Sequence, residues 1–270
     1  MNDKSIMKKA ILVVSFGTSY NDTREKTIDV IERQIGEQYP DWQVYRAWTS
    51  KMIIRKRKMR DQVHIFTVTE AMEQMLADGV EELVVQPTHI INGIENDRMK
   101  EDVCKYQDRF RSVRFGEPLL SSDEDNVAAI KALMTTYADL ADDEVLVFMG
   151  HGTDHYVNTV YAALDYTCKD LGYSNVYMGT VEAYPSIETL LKKVGEHRPS
   201  QVILAPFMLV AGDHARNDMS GEDENSWKCQ FERAGFRVRC VLKGLGEDQR
   251  IRDIFYAHLA KAMGEGQGSR

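Results

Sequence analysis

Short apolar runs separated by longer amphipathic stretches recur along the whole chain, and this alternation restricts the fold more than any other feature. Runs at 10–15, 43–48, 82–87, 144–149, 175–180, 201–206 and 237–241 have the length and continuous apolar character of buried strands. Helical patterns lie between them near 22–37, 67–78, 96–110, 124–139, 157–171, 186–195, 223–234 and 248–263. Strands alternating with helices build βαβ units and a mostly parallel sheet with helices on both faces. The expected fold class is therefore α/β.

Two halves of the chain resemble one another. Ile11-Leu-Val-Val-Ser-Phe-Gly-Thr18 and Leu146-Val-Phe-Met-Gly-His-Gly-Thr153 are both strands running into a Gly-Thr turn. Val84-Val-Gln-Pro-Thr-His-Ile-Ile-Asn-Gly93 parallels Ile203-Leu-Ala-Pro-Phe-Met-Leu-Val-Ala-Gly212, with proline at the same place and glycine six residues on. This predicts two Rossmann-like or flavodoxin-like lobes related by internal duplication, over 1–125 and 126–263, followed by a frayed tail at 264–270. Strand composition alone gives any two such halves some likeness; the paired Pro-x5-Gly is what favours a duplication.

With 43% hydrophobic and 28% charged residues, the chain has the composition of an ordinary globular enzyme. Its formal net charge of −8, without a long basic run, argues against a nucleic-acid partner. No stretch approaches the roughly 20 apolar residues that span a bilayer. The N-terminal apolar run is too short for a signal-peptide core. Four scattered cysteines without C-x-x-C spacing indicate neither a disulfide framework nor a structural zinc site, so a cytoplasmic location is expected.

Ligands of open parallel sheets bind beyond the carboxyl ends of the strands. His151 follows the strand 144–149, Glu182 follows 175–180, and His214 lies eight residues past Pro206. Three potential ligands therefore emerge at one edge of one lobe. Two imidazoles and a carboxylate suit a borderline divalent ion such as Co²⁺, Fe²⁺, Ni²⁺ or Zn²⁺. Gly150 and Gly152 beside His151 leave room for a large planar partner. The duplication sets Phe16 opposite His151, and Glu95 opposite His214.

Each residue alone has an ordinary explanation. A histidine after a strand can be a turn residue, Glu182 and Glu95 can be carboxylates favouring helix N-termini, and His214 can be a surface residue. Their convergence is what points to a site. His89 either faces the same region or simply ends a strand. The one dense basic patch, Lys51, Arg55, Lys56, Arg57, Lys58 and Arg60, is either a solvated helix face or a holder of substrate carboxylates. No P-loop, and no G-x-G-x-x-G after a strand, indicates a nucleotide or other organic cofactor.

The segments Val13-Val-Ser-Phe-Gly-Thr-Ser19, Thr49-Ser-Lys-Met-Ile-Ile-Arg-Lys56, His89-Ile-Ile-Asn-Gly93, Phe148-Met-Gly-His-Gly152, Val181-Glu-Ala-Tyr-Pro185 and Leu209-Val-Ala-Gly-Asp-His214 resemble those of the anaerobic-pathway sirohydrochlorin cobaltochelatases. These are class II chelatases, related in fold to protoporphyrin ferrochelatase, and the likeness runs from about residue 8 to about residue 260. The resemblance implies insertion of Co²⁺ into sirohydrochlorin in the cobalamin pathway, with the divalent metal as a substrate. It implies that His151, Glu182 and His214 bind metal, and that His151 and Glu95 serve catalysis by accepting or relaying protons. The accompanying substrate-contacting set is Phe16, Gly17, Thr18, Ser19, Arg55, His89 and Met208. Exported, haem-bearing members of the family carry a signal peptide, so that variant is not expected here. Ferro- or nickel-chelatase activity on the same ring, and a non-catalytic metal or tetrapyrrole carrier, remain alternatives, and a homo-oligomer is left open.

Overall fold

A computed structural model describes residues 7–265. Its internal contacts divide the chain into two compact units. One comprises the chain up to Ser121 together with the stretch from Arg252 onward; the other is Ser122–Ile251.

The first unit contains β1 (Lys9–Ser15), α1 (Asn21–Lys26), α2 (Ile28–Gln38), β2 (Gln43–Trp48), α3 (Lys51–Asp61), α4 (Val68–Ala77), β3 (Glu82–Pro87), α5 (Ile94–Cys104) and β4 (Ser112–Phe115). The second contains α6 (Asp123–Thr136), β5 (Glu144–Gly150), α7 (Thr159–Asp170), β6 (Val176–Thr180), α8 (Ile187–His197), β7 (Gln201–Pro206), α9 (Trp227–Arg233) and β8 (Val238–Cys240). The last helix, α10 (Gln249–Met263), begins in the second unit and continues into the first.

Each unit has one four-stranded sheet, ordered β2-β1-β3-β4 and β6-β5-β7-β8, and every pairing is parallel. The repeat extends to register. Val14 pairs with Pro87 in the first sheet, and Met149 pairs with Pro206 in the second. The prolines matched in sequence therefore occupy the same ladder position. Helices cover both faces of such a sheet, so its central strands are continuously apolar rather than alternating: Ala10–Val14 and Val145–Met149 are essentially inaccessible to solvent.

Local signals start several helices. The Thr67 hydroxyl accepts from the Glu70 amide while the Glu70 carboxylate accepts from the Thr67 amide, a capping box worth about 1 kcal/mol. Ser50 and Ser122 cap α3 and α6 one way only, each accepting an amide three residues on.

Three features depart from the sequence reading. The helical pattern at 96–110 stops at Cys104 and gives way to β4, an edge strand that is only half-buried and has two polar residues among its four. Helix α3 has no apolar stripe, burying only Ile54 and Arg57. The division expected at 125/126, with the second lobe running to 263, differs at α10. From Arg252 this helix joins the first unit, where Arg252 and Tyr256 both donate to the Gln34 side chain and Arg114 donates to the Met263 carbonyl. Its stripe of Ile251, Phe255 and Leu259 is fully buried, but spacing alone names no partner. Of the tail expected to fray, Gly264 closes α10 at positive φ and Glu265 accepts from the Tyr39 hydroxyl; residues 266–270 lie outside the described residues.

Candidate metal centre

Three strand ends of the second unit bring the site together. Beyond β5 the chain turns through Gly150-His151-Gly152, and both glycines are required there. A Cβ on Gly150 would lie 2.3 Å from the Tyr161 ring. Gly152 has φ +88°, and its Cβ would meet the Ala183 amide nitrogen at 2.9 Å.

The parallel ladder continues past the end of β6. The Val181 amide donates to the Gly150 carbonyl, and the Glu182 amide donates to the His151 carbonyl, both at 3.0 Å. The third side chain comes from the segment after β7, where Phe207 N–H donates to the Met149 carbonyl at 2.7 Å. His214 then caps a π-type turn, Ala215–Met219.

One potential ligand atom from each of His151, Glu182 and His214 lies within 4.8 Å of the others, and among the described residues they form the one such cluster of three. The two imidazole rings are edge-to-face, with centroids 4.6 Å apart and planes at 89°. His151 Nδ1 is 2.9 Å from the Gly152 carbonyl oxygen and 3.6 Å from the Glu182 carboxylate. All three side chains are partly exposed, so the cluster is open to an incoming ion rather than sealed like a structural site.

Two residues that the sequence reading did not single out support this cluster. Asn158 accepts from the Thr153 amide and donates to the Tyr184 carbonyl at 2.6 Å, tying the His151 turn to the Glu182 loop. Asp218 lies 2.6 Å from His214 Nδ1. The His-x3-Asp spacing was available as a signal, because residues four apart on a helical turn face each other.

The first unit carries the remaining candidates apart from Met208. Phe16, at the turn equivalent to that of His151, is 41% exposed. Gly17 has φ +99°, and its Cβ would strike the Trp48 ring at 2.5 Å, so this turn too demands glycine. Thr18 and Ser19 are buried. The Thr18 hydroxyl accepts from the Tyr20 amide, and the Ser19 carbonyl accepts from Arg60. Glu95 sits in the first turn of α5, partly exposed and paired with Arg98 at 3.4 Å.

His89 is 9% exposed, and burial pushes its imidazole down to about 4 against the weaker upward pull of Asn96 and Glu95. It is therefore neutral near pH 7. In α3, Lys51, Arg55, Lys56 and Lys58 are exposed. Arg57 is not available with them: it is buried, paired with Asp61 at 2.8 Å and bonded to Asn21. Met208 of the second unit is partly buried and packs on that unit's core.

Parallel two-sheet topology with a half-exposed His–Glu–His cluster beyond the strand ends defines a two-unit α/β protein of the chelatase fold. Consistent with that class, the sirohydrochlorin chelatase SirB from Bacillus subtilis subspecies spizizenii, solved in complex with cobalt, superposes with a TM-score of 0.66 at 14% identity, covering 97% of this chain and 98% of that one. The chain belongs to the cobalt chelatase (CbiK) family, whose sequence model matches residues 9–264. It is 42% identical over 257 residues to the sirohydrochlorin cobaltochelatase of Salmonella typhimurium, covering 95% of this chain and 97% of the relative. It is 32% identical over 259 residues to the sirohydrochlorin cobaltochelatase CbiKC of Nitratidesulfovibrio vulgaris, covering 95% and 91% respectively.

Proposed function

We propose that this chain inserts Co²⁺ into sirohydrochlorin, with His151, Glu182 and His214 as the metal-capturing residues. The observation that carries this reading is the convergence of those three side chains beyond β5, β6 and β7; the family and the names of its curated members support the ring and the preference for cobalt.

Insertion exchanges two pyrrole N–H protons for one divalent ion. The protein must therefore hold the ion with positions still open and provide groups that take up protons. Two imidazoles and one carboxylate leave such positions on a borderline divalent metal. We assign His151 and Glu95 as proton acceptors, acting directly or through water. Phe16 offers an exposed aromatic face to the ring. Arg55, with Lys51, Lys56 and Lys58, offers exposed cations for the ring's carboxylates. His89 is held neutral by burial, so its place in this scheme is as a hydrogen-bonding group rather than a cation. No described helix is long and apolar enough to cross a membrane. All four cysteines are free, which suits a reducing cytoplasm.

The test is an absorption assay of purified protein with sirohydrochlorin and Co²⁺. Repeated turnover to the cobalt-ring spectrum is expected. Stoichiometric binding without turnover would make the protein a carrier and overturn the reading. The ligand set also suits Fe²⁺ and Ni²⁺, so the preference for cobalt is read from competition among the three ions.

A further inference from the structure

The two imidazoles of the cluster are held in place by different means. His151 Nδ1 lies 2.9 Å from a backbone carbonyl, that of Gly152, which no substitution can remove. His214 Nδ1 lies 2.6 Å from a side-chain carboxylate, that of Asp218. A carboxylate only accepts, so Nδ1 of His214 carries the proton and Nε2 presents its lone pair.

The backbone that creates this contact is tightly constrained. Asp218 stands four residues after His214 on the π-type turn Ala215–Met219, a rare geometry that is frequent at functional sites. The turn is anchored from inside by Ala215 and Met219, both fully buried. It is closed by the Ser220 hydroxyl donating to the Ala215 carbonyl, and by Gly221, where a Cβ would come within 2.4 Å of the Asn217 carbonyl oxygen. An ordinary surface ion pair needs none of this and contributes only about 0–1 kcal/mol to stability.

We infer that Asp218 is a positioning residue for metal capture, fixing the tautomer and orientation of His214 so that Nε2 is directed to the incoming divalent ion. The inference rests on the metal-site reading above and adds a residue to it. A carboxylate behind a ligating histidine typically raises metal affinity by about 10–100-fold, by fixing the ring and strengthening its donor nitrogen.

The experiment is a Co²⁺ titration of the full-length protein without tetrapyrrole, following the cobalt d–d bands, for the parent and for Asp218→Ala, Asp218→Leu and Asp218→Asn. Circular dichroism and sirohydrochlorin binding without metal serve as the readouts of fold. Ala removes the acceptor, Leu removes it while keeping the volume, and Asn keeps an acceptor for Nδ1–H. Ala and Leu are expected to lose about 10–100-fold in Co²⁺ affinity with altered d–d bands, and Asn to recover most of it. Parent-like affinity, within about twofold, in whichever of Ala or Leu folds overturns the inference, as does an Asn variant as weak as Leu. If the parent takes up no Co²⁺, the metal-site reading falls and this inference with it. If the parent binds and the variants bind equally well, only the role of Asp218 falls.

Discussion

The Glu182 amide donates to the His151 carbonyl at 3.0 Å, so two of the three clustered residues, the proposed metal ligands, are joined at the backbone. The link is a continuation of the β5–β6 ladder, which gives the site the rigidity of the sheet instead of that of a free loop. Orientation that is built in beforehand does not have to be supplied by binding energy.

Gly152→Ala tests how closely those two strand ends approach. The substitution places a Cβ at φ +88° and within 2.9 Å of the Ala183 amide nitrogen, next to Glu182. Left-handed backbone costs a non-glycine residue roughly 1–2 kcal/mol, and relief of the clash must displace the Glu182 loop. The expected result is a melting temperature lower by several degrees together with weaker Co²⁺ binding, read by thermal denaturation and metal titration. Gly172→Ala is the control: it also has positive φ but open space around the new methyl, so it should lower stability and leave metal affinity unchanged.

Asn158→Ala removes the clamp between the Thr153 amide and the Tyr184 carbonyl. Loss of both hydrogen bonds should cost about 1–2 kcal/mol in stability, and Co²⁺ affinity should fall because the His151 turn and the Glu182 loop lose their shared tie. Denaturant unfolding and metal titration measure the two effects. An unchanged affinity would mean that the backbone ladder holds the loops unaided.

The arginines of α3 should separate cleanly. Arg57 is buried and bonded to Asp61 and Asn21, so Arg57→Ala should lower the melting temperature, because it empties a packed position and removes both hydrogen bonds. Arg55 is exposed, so Arg55→Ala should leave the melting temperature unchanged and raise KM for the ring. Steady-state kinetics beside thermal denaturation distinguishes them, and an unchanged KM in Arg55→Ala would remove that residue from the substrate-binding set.

His89 makes stability depend on pH. Burial pushes its imidazole down to about 4, against about 6.5 in an unfolded chain. Between those values the unfolded state binds a proton that the folded state does not, so stability falls as pH drops through the window, by at most about 1.4 kcal/mol per pH unit. Above the unfolded value the contribution is constant. His89→Gln should flatten the stability profile between about pH 6.5 and pH 4 relative to the parent, measured by denaturant unfolding at several pH values. An unchanged slope would place the acid sensitivity in other groups.

The parallel sheets and their duplication were legible because strands buried on both faces must be continuously apolar, and because Pro87 and Pro206 end equivalent strands. The convergence of His151, Glu182 and His214 was legible because all three follow the carboxyl ends of neighbouring strands. Other features left little trace. Helix α3 buries too little to show an apolar stripe, β4 is a short edge strand, and the stripe of α10 does not say which unit it covers. Arg57 read as one charge among many, although its surroundings make it structural. For Asp218 the only trace is the His-x3-Asp spacing to His214, a weak signal in a polar loop, because the π-type turn that joins them has no pattern comparable to strand alternation.

The central claim is that His151 and His214 together capture the metal that is inserted. Its most direct test is the rate of cobalt-ring formation in His151→Ala and His214→Ala, with sirohydrochlorin binding measured alongside. Each variant is predicted to bind the ring and to lose nearly all insertion, exceeding the roughly 100-fold upper range for loss of a residue that only supports a ligand. Near-normal turnover in either variant would contradict the account.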